Sequence, residues 1–127
     1  VRHELLRASQ NHPAVAELAN LEWVDTRQAS NRTAVISLEL ELDRGEAEAI
    51  VLATELNADV LLMDERKGRA IADRLGLKVI GLMGILIEAK RRSIIPAVKP
   101  ALDDLIGKAG FWISAQLYEK VLRTAGE

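Results

Sequence analysis

Between residues 42 and 75 the hydrophobic pattern changes period twice, and each change marks an element. Over 43–56 apolar residues recur at helical spacing. At about 100° per residue, Ala49, Ile50, Ala53 and Leu56 share one side. Asp43 stands ahead of them as an N-cap, and Glu46 follows at the spacing of a capping box. Asn57-Ala58-Asp59 interrupts the helix. Val60-Leu61-Leu62-Met63 is a short apolar run between polar residues, which predicts a strand buried on both faces. A second helix follows, and Gly76 ends it in the C′ position. Residues 78–81 read as another short parallel strand. Residues 82–92 read as a helix closing on Lys90-Arg91-Arg92, where cations suit the helix dipole. Two strand–helix units in succession imply a right-handed parallel crossover.

The flanking segments carry weaker patterns. Residues 2–9 read as a short helix. Asn11-His12-Pro13 reads as a turn into a second helix, with Pro13 at N1 and Val15, Leu18 and Ala19 on its apolar side. Residues 21–24 suggest a short strand and 26–32 a polar loop. Over 34–42, Ile36, Leu38, Leu40 and Leu42 alternate with polar residues, which favours a strand. Ile36 and Leu40 also fit helical spacing, and Leu and Glu are good helix formers. Residues 97–109 read as a helix entered through Pro96 and left at Gly110. Ser114 caps a last helix over 115–124.

A chain of 127 residues fits one domain. Aromatics are only 3%, so the core must be built from Leu, Ile, Val and Ala, and base stacking is a weak driver of any nucleic-acid affinity. The absence of cysteine excludes disulfides, thiolate zinc sites and a thiol nucleophile, and fits a cytoplasmic location. No run approaches about 18 apolar residues, so no membrane span is expected, and no signal peptide is read at the start. His3 and His12 make no ligand pattern and are expected at the surface. No Ser-His-Asp spacing suggests a triad, and Gly81-Leu82-Met83-Gly84 is a poor phosphate loop. Charge is segregated. Residues 39–65 hold nine acids and one base, −8, and residues 66–99 hold nine bases and two acids, +7. That suits an acidic metal site beside a polyanion track, or equally two solvated faces of opposite sign.

The acids at the joints carry the candidate chemistry. Helical phase puts Glu46 on the apolar side and Glu48 and Glu55 on the wet side. A carboxylate aimed at a core is costly unless paired. Asp64 stands at the carboxyl end of a strand, the edge where open α/β sheets bind ligands. Two anions cannot pair, but a divalent cation between them resolves the conflict. The plainer alternatives are a capping box for Glu46 and, for Asp64, a cap on the helix starting near Glu65. Arg66, Lys67 and Arg69 follow, as backbone contacts to a nucleic acid or as a solvated first turn. Gly110-Phe111-Trp112-Ile113 reads as core or as an apolar docking strip.

The motifs LDRGEAEAI, ADVLLMDERKGR and KVIGLMGILIEAKRR, with the terminal GFWISAQLYEKVLRTAGE, resemble a PIN-domain family of prokaryotes related to VapC-type toxins. The resemblance covers residues 42–127 well and the first third poorly. It implies an α/β, three-layer PIN-like fold with a short parallel sheet flanked by helices, and a helix over 34–40. It implies a metal-dependent ribonuclease using Mg²⁺ or Mn²⁺, acting on single-stranded RNA, as the toxin of a toxin–antitoxin pair. An antitoxin protein and a homodimer are the partners it implies. Glu46 matches the acid opening the central helix and Asp64 the acid ending the next strand; Glu65 and Glu48 are neighbours of second rank. PIN domains open with a strand ending in aspartate. Trp23-Val24-Asp25-Thr26 is a poor substitute, since Asp25 lies only 21 residues before Glu46. The first strand is therefore expected to be missing, so that this chain alone cleaves weakly. A PIN-like module that binds RNA or a protein without cleaving it is the alternative.

Overall fold

The computed structural model describes residue 17 and residues 20–127. Apart from Glu17, which is helical and exposed, the helices and turn expected over 2–19, with both histidines, lie outside the described residues. Among the described residues the chain forms six helices and one parallel sheet of two strands, the mixed α/β content the resemblance implied. It divides into two compact units, Val1–Leu61 and Leu62–Glu127.

In the first unit, α1 (Arg32–Leu38) packs against α2 (Arg44–Glu55). The alternating segment 34–42 is thus helical in its first half. Asn31 caps α1 by accepting from Ala34 N at 3.1 Å. Val35 is buried, whereas Ile36 and Leu40, which a strand would have turned inward, are exposed. The strand expected over 21–24 is a turn instead, closed by Val24 N donating to Leu21 O at 3.1 Å. A strand needs a neighbour to complete its hydrogen bonds; here the backbone satisfies one within four residues. In α2, Asp43 Oδ1 accepts from Glu46 N at 2.9 Å, as its sequence position demanded. The helix buries Ala47, Ile50, Val51 and Ala53. It ends where Asn57 turns left-handed (φ 51°), with Asn57 N donating to Thr54 O and Ala58 N to Ala53 O.

Helical phase put Glu48 and Glu55 on the wet side; Glu55 is exposed as expected, Glu48 is half-buried, and both carboxylates have partners. Glu48 Oε1 accepts from Ala29 N at 2.8 Å and from Arg32 Nη1 at 2.5 Å. Glu55 accepts from Ser30 N at 2.9 Å and Asn31 N at 2.7 Å. Two carboxylates of α2 therefore hold the loop that leads into α1. The Arg32 guanidinium keeps the Glu48 carboxyl below the usual range, and the Ser30 and Asn31 amides do the same for Glu55. Groups whose folded pKa is depressed stabilise above their unfolded value, here 4.5, and that support is lost as pH falls through the folded values. Urea unfolding midpoints should therefore drop as pH falls below 4.5. Glu55→Gln should lower the midpoint at neutral pH and flatten its fall in acid; an unchanged acid slope would contradict the clamp.

In the second unit, β1 (Leu61–Leu62) pairs with β2 (Val79–Ile80), and Met63 N donates to Ile80 O at 3.0 Å just past the strand. The run 60–63 is not buried on both faces. Leu61 and Met63 point inward, while Leu62 is 55% exposed and Val60 is exposed too. α3 (Arg66–Arg74) packs on β2 and buries Gly68, Ile71 and Ala72. Gly76 closes it at φ 78°, with Gly76 N on Asp73 O and Leu77 N on Ala72 O, a conformation that favours glycine.

α4 (Leu82–Arg91), α5 (Lys99–Gly107) and α6 (Ala115–Thr124) complete the unit. Val98, Leu102 and Val121 form a buried centre, with Leu86, Ile87, Ile113 and Leu122 packed around it. The three buried side chains of that centre are aliphatic, and Tyr118 also packs against it. α5 begins later than expected, with Pro100 rather than Pro96 in its first turn. The Glu127 carboxylate accepts from Val98 N at 2.7 Å and Lys99 N at 3.2 Å, and Lys90 Nζ bridges Glu127 and Ala125 O. Ser114 Oγ accepts from Leu117 N at 3.1 Å and starts α6 as expected.

Candidate functional site

Asp64 follows β1 at its carboxyl end, exposed to solvent. Its carboxylate does not cap the helix beginning near Glu65. Glu65 holds that N-cap position in α3, without a side-chain cap bond. Asp64 Oδ1 instead accepts from Leu82 N at 2.9 Å, at the start of α4. An anion suits that end of a helix, where free amides and the dipole both favour negative charge. The acid thus links the end of one strand to the helix that leaves the next.

Gly81 permits this approach. A Cβ there would stand 2.9 Å from Asp64 Oδ1 and 3.3 Å from Arg69 Nη1. Asp64 and Arg69 therefore crowd the same point, a carboxylate and a guanidinium over the start of α4. Both obstructing atoms end flexible side chains. Gly81→Ala should consequently fold with nearly the native midpoint but displace the Asp64 carboxylate. The expected readout is a changed amide shift at Leu82, with core methyl shifts preserved; an unmoved Leu82 amide would contradict the crowding.

Asp64 and Arg69 form one wall of a cleft of about 450 Å³, which Ile80, Gly81, Phe111 and Trp112 also line. The FWI strip therefore divides. Ile113, half-buried, packs against the buried centre, Phe111 is half-buried at the cleft, and Trp112 is 84% exposed. Sequence reasoning treated these residues as one strip and missed the role of Gly81. The signal available for Gly81 was the pair of glycines at 81 and 84, which looked like a poor phosphate loop.

The sequence-derived residues are distributed as follows. Asp64 and Arg69 come together at the cleft. Glu65 is exposed beside Asp64, and Arg66 and Lys67 are exposed in the first turn of α3. Glu46 is half-buried in the first turn of α2 and belongs to the first unit. Among the described residues no three acids or histidines converge as a metal-binding group, and no helix is long and apolar enough to cross a membrane.

The arrangement offers an exposed, oxygen-only donor, a guanidinium suited to a phosphate, and helix amides at a sheet edge. Neither a curated protein nor a solved structure matches the chain. A family model described as a PIN domain, a nuclease-like module, matches residues 1–127. The match extends over the entire chain, including the first third that the motifs alone covered poorly; the chain belongs to the PIN-domain family.

Proposed function

We propose that this chain is a PIN-type ribonuclease module, acting on single-stranded RNA with a divalent ion at the sheet edge. The observation that carries this reading is Asp64, an exposed acid ending β1 whose Oδ1 is engaged by Leu82 N and whose second oxygen remains for a hard cation. The donor chemistry fits Mg²⁺ or Mn²⁺. Asp64 and Glu65 would hold the ion. Such an ion, when bound, acidifies a water and stabilises charge on a phosphoryl group. Arg69 would position the phosphate, with Arg66 and Lys67 as outer electrostatic contacts. A toxin role with an antitoxin protein and a homodimeric state belong to this proposal through the resemblance alone.

A non-cleaving RNA-binding module is the second reading. It is favoured by Leu82 N at the start of α4, which already engages the Asp64 carboxylate from within the protein. The discriminating experiment is gel cleavage of single-stranded RNA by this chain in Mn²⁺, with and without chelator. Slow, chelator-sensitive cleavage is expected. Saturable binding with no cleavage in either arm would favour the binding module.

A further inference from the structure

Trp112 is the largest exposed apolar side chain in the cleft wall, and nothing in the local backbone calls for an indole there. Its backbone is held on both sides. Gly110 turns left-handed (φ 69°), Phe111 N donates to Leu105 O at 2.9 Å, and Ile113 packs on Val98, Leu102 and Val121. The ring is thus presented to solvent from an anchored segment, which is an arrangement for contact rather than for packing. It shares the cleft with Arg69.

Charge selects the occupant. The second unit, Leu62–Glu127, carries twelve bases against eight acids, +4, whereas the first carries five against eleven, −6. Arg66, Lys67, Arg69, Arg74 and Lys78 are exposed within one short stretch of the positive unit. A flat aromatic surface beside a guanidinium, on a cationic surface, matches an unpaired base with its phosphate. A duplex would hide that base face, and an apolar peptide would use the indole but bring no anion to the cationic stretch around Arg69. The cleft volume of about 450 Å³ is in the range of small-ligand clefts.

We propose that Trp112 stacks an unpaired nucleobase of a single-stranded RNA whose phosphate lies against Arg69. This makes Trp112 a binding residue that positions the strand across the cleft, and it revises the expectation that stacking contributes little. The inference rests on reading the cleft as a polynucleotide site, and it does not require cleavage.

The test uses the full chain carrying Trp23→Phe, so that Trp112 is the only indole. Titration with a short single-stranded uridine oligonucleotide, in chelator at low salt, should quench Trp112 emission saturably. Inorganic polyphosphate and an abasic oligonucleotide of equal length should bind without that quench. Trp112→Ala should weaken oligonucleotide binding by roughly ten- to hundredfold, as expected for one stacked base, while leaving the salt slope unchanged. Arg69→Glu should flatten the salt slope, because the slope counts phosphate contacts. Binding that leaves Trp112 emission unchanged, an equal quench by polyphosphate, or undiminished affinity in Trp112→Ala would each overturn the proposal. So would saturable binding of apolar peptides in preference to the oligonucleotide. If stacking fails while Asp64→Asn still removes cleavage, the ribonuclease reading stands and only this inference falls.

Discussion

Asp64→Asn should lower RNA cleavage in Mn²⁺ by about a hundredfold or more, because in the function proposed above it removes the charge of the carboxylate that would hold the ion. Removing groups one shell further from a metal already costs about 10- to 100-fold. The substitution isolates charge from shape. Asn keeps an oxygen at the place where Asp64 Oδ1 accepts from Leu82 N at 2.9 Å, so the start of α4 stays capped and the unfolding midpoint should change little. Asp64→Ala would remove the cap as well, and is the less informative variant. The measurement is single-turnover cleavage across a Mn²⁺ titration. A rate restored at high Mn²⁺ indicates weakened ion binding; a rate lost at every concentration indicates a role for the carboxylate beyond holding the ion. Native cleavage by Asp64→Asn would remove Asp64 from the site.

The largest effect on stability is expected at Leu102. It is fully buried in α5, between Val98 and Val121. Leu102→Ala removes three carbon atoms from a centre built only of aliphatic side chains. Such substitutions typically cost about 2–5 kcal/mol, the lost transfer energy plus the cavity left behind. That is a large fraction of the roughly 5–15 kcal/mol that holds a small protein folded. α5 also depends on Glu127, whose carboxylate binds the Val98 and Lys99 amides at its start. Little else can move in to fill the gap. Urea denaturation should show a lower midpoint with an unchanged slope. Leu105→Ala, at a half-buried position of the same helix, is the control and should cost less. Equal costs would mean that the centre collapses around the missing side chain.

Glu88 gives a third pH effect of the same sign as the clamp at residues 29–31. Arg91 and Arg92 bind its carboxylate at 2.6–2.8 Å and hold its pKa down to about 2. Its contribution is present above 4.5 and disappears between 4.5 and about 2. The exposed position of both arginines means that salt should weaken it.

Elements whose causes lie within four residues could be read in advance. Asp43 reaches Glu46 N, Ser114 reaches Leu117 N, and Asn57 and Gly76 turn left-handed two residues past the ends of their helices. Each is a bond or dihedral decided by neighbours in the chain, so residue order alone specifies it. The aliphatic core and the acid at the carboxyl end of β1 were legible for the same reason. The segment 34–42 was not, because its alternation is compatible with two periods and the deciding contacts come from α2. Glu48 and Glu55 reach amides 19 to 25 residues away, a distance no helical wheel contains. The target of Asp64 lies 18 residues onward at Leu82, and its neighbour Arg69 is on another helix. Trp112 looks like core by composition but is exposed, while Ile113 beside it is the one that packs on the buried centre. In all of these the side chain's chemistry was visible from the start, but its partner was set by which distant backbone the packing brought within about 3 Å, the reach of a hydrogen bond.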